Sequence, residues 1–331
     1  MEQRKGPLED MVNPRPLVSV IMNCYNSAPY LAQAIDSVYA QTFSDWEIIF
    51  FDNCSTDSSP AIARKYDGRL RYFRNDKTVP LGHARNLALK QAQGKYTAFL
   101  DCDDLWCATK LVKQVAVLEA DPAWGAVFSD ALFFGQGTKS FRTFPFKKPR
   151  QGMIFKDLLG RYVLPMPTIV IRRDVLDHIG GGFDVRFNMV EDADLFMRLA
   201  YYYPIAYVDE VLAHRRMHAG SWTLLKKELF PKEEEMLLDK FASIWPSFGS
   251  DYAKEIAHSK AMIQYQYAIL DWEKGNNDLA RKRMAPYLGT LKKIWVPFLF
   301  SYFPIFFYNA FKRSYKNITS LLTGSLDDQA F

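Results

Sequence analysis

Cysteine is scarce in this sequence, with only four residues in 331, at Cys24, Cys54, Cys102 and Cys107. Their spacing fits no zinc-binding pattern, and the number is too small for a disulfide-stapled scaffold. The opening run Met1-Glu2-Gln3-Arg4-Lys5-Gly6-Pro7 lacks the apolar stretch of a secretory signal. A reducing, cytoplasmic setting is therefore expected. The glycosylation triplets at Asn53 and Asn317 are then chance matches, because that modification belongs to the secretory route. A basic excess is also missing from most of the chain. Residues 281–331 hold eight Lys/Arg and two acids, leaving 34 basic against 35 acidic residues before them. A near-neutral body excludes a broad nucleic-acid-binding face.

What is present is a globular composition, 49% hydrophobic and 24% charged, on a chain long enough for two or three domains. Short apolar runs alternate with helical patterns. Leu17–Met22, Trp46–Phe51, Leu70–Phe73 and Tyr96–Asp101 read as strands. Helices are expected over Tyr30–Gln41, from Asp57 to Tyr66, and over Gly82–Gln93. Continuous apolar strands separated by helices predict an α/β fold, a parallel sheet covered on both faces. In such sheets ligands bind beyond the carboxyl ends of the strands, which points to Asn23–Asn26, Asp52–Asp57 and Asp101–Asp104. Further on, Gly125–Ser129 and Thr168–Arg172 read as strands and Asp192–Tyr202 as a helix. Beyond Ser221 the pattern is helical, over Leu224–Trp245, Asp251–Lys274 and Asp278–Leu288.

Asp101-Cys102-Asp103-Asp104 is the strongest local signal. Three carboxylates in four residues at a strand end repel one another, a cost readily accepted where a divalent cation neutralises them. Mg²⁺ or Mn²⁺ fits such a site, completing its shell with phosphates and water; the plainer alternative is an acidic turn before a helix starting near Ala108. In Asp52-Asn53-Cys54-Ser55-Thr56-Asp57, Asp52 could accept bonds from a base or ribose, while Asp57 suits a helix cap. Gly82-His83-Ala84-Arg85-Asn86 opens a helix and places a cation beside a natural anion site, although a lone Arg on a helix is usually solvated. Glu191-Asp192-Ala193-Asp194 also opens a helix, where carboxylates cap as readily as they act as a general base. His218 could complete a metal or diphosphate site, or be structural.

Taken in order, Val18-Ser19-Val20-Ile21, Tyr25-Asn26, Ile35-x-Ser37-Val38-x-x-Gln41-Thr42, Glu47-Ile48, Ser55-Thr56-Asp57, Gly82-x-x-Arg85-Asn86, Asp101-x-Asp103-Asp104-x-Trp106 and Gly182-Phe183-Asp184…Glu191-Asp192-x-Asp194-Leu195 resemble glycosyltransferase family 2, over residues 16–222. The resemblance implies a GT-A, Rossmann-like, mostly parallel sheet flanked by helices. It also implies an inverting, metal-dependent transferase that uses a nucleoside-diphosphate sugar, UDP-linked sugars being commonest. On that analogy Tyr25, Asn26, Asp52, Ser55, Arg85 and Asp101 hold the donor, Asp103 and His218 the metal, and Asp192 is the base. Trp106, Glu191 and Asp194 contact the acceptor or support the site. Two positions depart from the pattern: Asn53 replaces a common second acid, and Arg215 stands where an aromatic residue is frequent.

Rival readings exist. A nucleotidyltransferase of similar fold would carry a Gly-rich, Arg-containing loop after the first strand, where Asn23-Cys24-Tyr25-Asn26 stands here. A processive synthase would need a Gln-x-x-Arg-Trp motif and membrane spans. A non-catalytic nucleotide-sugar-binding scaffold would not need Asp101, Asp103 and Asp192 together. The expected divisions are a flexible N-terminus (1–15), a nucleotide-sugar half (16–121), an acceptor and catalytic half (122–222), a helical extension (223–290) and a basic, aromatic tail (291–331). Ile294–Phe311 is rich in aromatics, interrupted by Pro297 and Pro304 and flanked by Lys292, Lys293, Lys312, Arg313 and Lys316. Such a segment suits the interface of an anionic membrane better than a span, the alternative being a C-terminal helix packed on the core or on a partner subunit. A lipid-linked saccharide acceptor and a peripheral position on the inner face of the cell membrane are expected from this tail and from family habit.

Overall fold

The structure, a computed structural model, describes residues 15–135 and 139–312. Most of the expected N-terminal segment, and Arg313 and Lys316 of the tail, lie outside the described residues. The chain begins with β1 (Val18–Cys24), α1 (Ala28–Tyr39), β2 (Trp46–Asp52), α2 (Ser59–Ala63), β3 (Leu70–Arg74), α3 (Leu81–Leu89) and β4 (Tyr96–Phe99). β5 (Leu105–Trp106), α4 (Lys110–Ala120), β6 (Ala126–Gly135), β7 (Phe141–Arg142), α5 (Phe155–Gly160), β8 (Val170–Arg172), α6 (Arg173–His178), α7 (Glu191–Tyr202) and β9 (Ile205–Met217) follow.

Among the described residues these strands form one sheet in the order β3-β2-β1-β4-β8-β6-β9-β5, with β7 on β6. The β3-β2-β1-β4 part is parallel throughout, as its apolar strands require: all seven residues of β2 are buried. From β4 onward the direction mixes. β8 is antiparallel to both β4 and β6, whereas β6 and β9 are parallel. The apolar side chains of β1 and β2 divide between two cores, one under α1 and α4, the other shared with α3 and α7.

The helices differ from expectation mainly in length. α2 is a five-residue turn, and α3 stops at Leu89, four residues early. The region expected as one helix over Leu224–Trp245 breaks into α8 (Trp222–Leu225), a 3₁₀ turn at Lys227–Leu229 and α9 (Phe230–Ile244). Pro231 has no N–H to give the preceding turn and so sits in the first turn of a new helix. α10 (Phe248–Asp251), α11 (Ala253–Glu273), α12 (Asn277–Met284) and α13 (Trp295–Phe300) complete the named elements. No helix of the described residues is long and apolar enough to cross a membrane.

The helical extension shares a core with the sheet domain. Leu237, Leu238, Phe241, Trp245, Phe248 and Ile263 are buried together with Phe155, Phe196 and Leu199, and Trp245 stacks on Tyr201 with ring centroids 3.8 Å apart. A separate small core forms where the tail folds against α11 and α12, with Trp272, Met284, Ile294 and Tyr308 at its centre.

Candidate active site

The carboxyl ends of β1, β2 and β4 converge as expected of a parallel sheet. At the end of β1, Asn26 adopts a left-handed backbone (φ 52°), which asparagine tolerates because its short amide bonds locally. Its Oδ1 accepts the Thr56 N–H at 2.8 Å and the Asp57 N–H at 3.3 Å, and its own N–H donates to Ser55 Oγ at 3.0 Å. Asp57 accepts the Ala28 N–H at 3.0 Å and the Ser59 N–H at 2.9 Å, so it ties α1 to α2. Tyr25 projects from this frame with 53% of its surface exposed.

Asp52 lies beneath the loop, fully buried. It accepts the Ser55 N–H at 2.7 Å, the Tyr72 hydroxyl at 2.6 Å and the Arg74 guanidinium. Both oxygens are filled by protein donors, which places this carboxylate as a brace under the loop and not on its open surface. Asn53, the departure from the family pattern, also braces: its amide donates to Val79 O at 2.8 Å and accepts the Val79 N–H at 3.0 Å.

The acidic run after β4 divides into three environments. Asp101 and Asp103 are partly open, whereas Asp104 is buried. Asp104 accepts the Arg216 N–H at 2.8 Å, and burial raises its pKa well above the usual carboxylate range. His218 Nε2 lies 2.9 Å from Asp103 Oδ2, its ring against Tyr30. Arg216 fixes this corner by donating to Asp103 O at 2.9 Å and Gln33 Oε1 at 2.8 Å. Among the described residues no group of three His, Cys, Asp or Glu side chains is arranged to hold a cation. The Asp103–His218 pair nevertheless fits one. Neighbouring ligands of an octahedral ion bound at about 2.1 Å stand about 3.0 Å apart, and such ions take few protein ligands with phosphate oxygens completing the shell.

Arg85 is buried and is not a solvated helix residue. It donates to Asp101 at 2.8 Å and to Glu191 at 2.6 Å, so one guanidinium bridges the end of β4 and the start of α7. Burial pushes the Glu191 carboxyl up, to about 8, against the pull of Arg85. Asp192 follows it in the first turn of α7 and accepts the Ala193 N–H at 2.7 Å. Burial raises its pKa, opposed by the charges of Arg85 and Arg215. The Tyr162 hydroxyl, buried and without a hydrogen-bond partner among the described residues, is close enough to Asp192 for each to shift the titration of the other.

Asp194 and Trp106 are held by protein partners. Asp194 is fully buried between Arg198 and Lys240. The Trp106 indole donates to Pro167 O at 2.8 Å, and the Lys110 ammonium lies 4.3 Å from its ring centroid. Sequence reasoning missed the part played by the extension. One Glu233 oxygen accepts the N–H groups of Asn188, Met189 and Val190, at 2.9, 2.8 and 3.3 Å, immediately before α7. Lys240 reaches Asp184 at 2.9 Å as well as Asp194. Glu233 and Lys240 look like ordinary surface charges on an amphipathic helix, so the sequence carries no local signal for either role.

A parallel sheet half joined to a mixed half, with acidic residues at the end of β4 and at the start of α7, defines a GT-A glycosyltransferase. The sequence model of the family described as Glycosyl transferase family 2 matches residues 19–180. The chain is 33% identical over 193 residues to EpsE of Bacillus subtilis, named as a glycosyltransferase, covering 56% of this chain and 68% of that protein. It is also 33% identical over 167 residues to TuaG of the same organism, named for teichuronic acid biosynthesis, spanning 50% of this chain and 65% of TuaG. With WfgD of Escherichia coli, named as a UDP-Glc:α-D-GlcNAc-diphosphoundecaprenol β-1,3-glucosyltransferase, identity is 38% over 103 residues, 31% of this chain and 41% of WfgD. This chain belongs to glycosyltransferase family 2. The fold agrees: Staphylococcus aureus TarS 1–349 in complex with UDP-GlcNAc superposes with a TM-score of 0.57 at 20% identity, covering 81% of this chain and 88% of that one. A mannosyltransferase from Pyrobaculum calidifontis, in complex with GDP-Man and Mn²⁺, gives 0.55 at 21% identity, covering 84% and 77%.

Proposed function

We propose that this protein transfers a sugar, with inversion, from a nucleoside-diphosphate sugar to a hydroxyl of a lipid-linked saccharide, using Mg²⁺ or Mn²⁺. The observation that carries this reading is the Asp101–Arg85–Glu191 bridge, which holds a donor-side carboxylate and the start of the helix bearing Asp192 in one rigid unit. A UDP-linked donor is favoured because TarS binds UDP-GlcNAc and WfgD is named for UDP-glucose.

In this reading Tyr25 covers the base, and the loop braced by Asn26, Asp52 and Ser55 shapes its pocket. Asp101 is held by Arg85 to accept from the ribose. Asp103 and His218 would hold the cation, whose chemistry is to offset negative charge on the departing diphosphate. Asp192 takes the proton of the attacking hydroxyl. Its raised pKa makes its carboxylate a stronger base than that of an exposed aspartate. Glu191 and Arg85 position Asp192 and Asp101 without touching the reacting atoms. Attack from the face opposite the diphosphate, in one displacement, inverts the anomeric centre.

The decisive measurement is transfer in chelator with and without added metal, alongside Asp103→Asn. We expect chelation to abolish released nucleotide, Mn²⁺ or Mg²⁺ to restore it, and the variant to remain inactive. Full turnover in excess chelator would overturn the metal assignment. Binding of UDP without turnover of any donor would instead favour a non-catalytic sugar-nucleotide-binding protein.

The tail supports a membrane-facing orientation. Its inner side is fastened to α11 and α12: Trp272 Nε1 donates to Phe303 O at 2.9 Å, Arg281 donates to Ser301 O at 2.6 Å, and Trp272 stacks on Tyr308. Its outer side exposes Trp295, Leu299, Tyr302, Phe303, Phe306 and Phe307. Exposed aromatics beside Lys292 and Lys293 match an anionic interface. Flotation with phosphatidylglycerol vesicles should recover the full chain, and Phe303→Ser/Phe306→Ser/Phe307→Ser should stay behind with its UDP affinity intact. A full chain that ignores these vesicles ends the proposal.

A further inference from the structure

We infer that Arg215 recognises an oxyanion carried by the acceptor, a phosphate or carboxylate close to the hydroxyl that is glycosylated. The inference rests on the glycosyltransfer reading and adds a substrate class to it. Arg85 and Arg216, two other arginines of the site, are committed to protein partners: Arg85 to Asp101 and Glu191, Arg216 to Asp103 O and Gln33. The Arg215 guanidinium makes no ion pair or side-chain hydrogen bond among the described residues. It lies 5.5 Å from the centroid of the Phe133 ring.

The strand decides which side of the site this cation serves. Successive residues of β9 point to opposite faces, and Arg216, which shares its face with the following His218, packs on Tyr30 and Asp103. Arg215 therefore lies on the opposite face of β9 from Arg216 and the metal corner. Its charge lowers the pKa of Asp192 and that of the Tyr162 hydroxyl. In the paired strand Phe133 lies opposite Arg215, and Phe141 stacks on Phe133 with centroids 4.8 Å apart. The result is a cation over an aromatic platform, with its charge reaching Asp192. A sugar ring laid on such a platform meets a bidentate anion partner in Arg215.

Three soluble probes separate the sources of the charge: decyl-diphospho-N-acetylglucosamine, decyl glucuronide and the neutral decyl N-acetylglucosaminide. Each is titrated calorimetrically into the full chain with UDP and Mn²⁺ present, and into Arg215→Gln and Arg215→Lys. Wild type should bind one anionic probe tighter than the neutral one. Arg215→Gln should weaken that probe by roughly 10- to 100-fold, the span of a hydrogen bond to a charged group. Arg215→Lys should recover part of the loss, while UDP binding, which also reports correct folding, stays within about two-fold. The diphosphate probe winning indicates recognition of the lipid diphosphate, and the glucuronide winning indicates an acidic sugar. Equal binding of all three probes by wild type, or loss of UDP affinity in Arg215→Gln, overturns the proposal. Because the readout is binding, it stands even if no donor is found to turn over, a result that would count against the glycosyltransfer reading alone.

Discussion

The two halves of the site are built in different ways. On the donor side the loops after β1 and β2 brace each other through Asn26, Asp52, Asn53 and Asp57, whose partners lie about 30 residues away or nearer. On the acceptor side the start of α7 is held from outside the sheet domain, by Glu233 and Lys240 on α9, 43–46 residues further along the chain. The donor pocket is thus a self-sufficient local structure, whereas the placement of Asp192 depends on the extension. The contrast shows that helices appended to a Rossmann-like sheet can hold residues of the candidate site in place.

The largest expected effect separates the halves outright. Asp192→Asn should reduce kcat by at least about 10²-fold, the usual range for a positioned base, with UDP affinity unchanged by calorimetry. A variant that transfers normally, or that loses nucleotide binding instead, would show that the division is misplaced. Next comes Glu233→Gln. Removing a buried charge that accepts three backbone N–H groups should cost about 1–3 kcal/mol of stability and lower kcat, leaving UDP affinity alone. If kcat is unaffected in the folded variant, α9 is only a prop. On the donor side, Tyr25→Ala should weaken UDP binding by about 1 kcal/mol or somewhat more, as expected for loss of one aromatic–base stack, without lowering kcat at saturating donor. An equal fall in kcat would blur the comparison.

The smallest effect concerns pH. A carboxyl whose pKa rises on folding binds its proton more tightly in the native state. Glu191 should therefore favour folding below about 4.5 and progressively lose that contribution as the pH climbs to about 8. The melting temperature of Glu191→Gln should fall less steeply over this window than that of wild type. Parallel curves would mean that Glu191 stays ionised throughout, held by Arg85.

How far the sequence was readable follows the same division. The parallel half was legible because buried parallel strands are uninterrupted apolar runs and their loops carry the polar residues. β8 and β6 were also visible as strands, but no local pattern distinguishes antiparallel pairing from parallel when both faces are buried. The carboxylates could be found as a set, yet their environments could not: Asp52 beneath its loop, Asp104 buried against Arg216 and Asp194 between two cations are set by tertiary packing. Glu233 was invisible because its partners are backbone N–H groups, which every sequence possesses. Arg215 was visible only as a departure from an aromatic position.

Arg85 has one more consequence. A buried guanidinium shared between Asp101 and Glu191 works as a rivet through two plates, and a second lies beside it, where Asn86 takes the Phe183 N–H at 2.7 Å and gives its own amide to Phe183 O at 2.8 Å. Plates fastened twice along one helix do not open and shut like a jaw. In the proposed reaction, coupling between donor and acceptor would then run through redistributed charge. An acceptor that draws Glu191 away leaves Arg85 more fully to Asp101, and the ribose would register the arrival of its partner as a changed affinity in an unmoved frame.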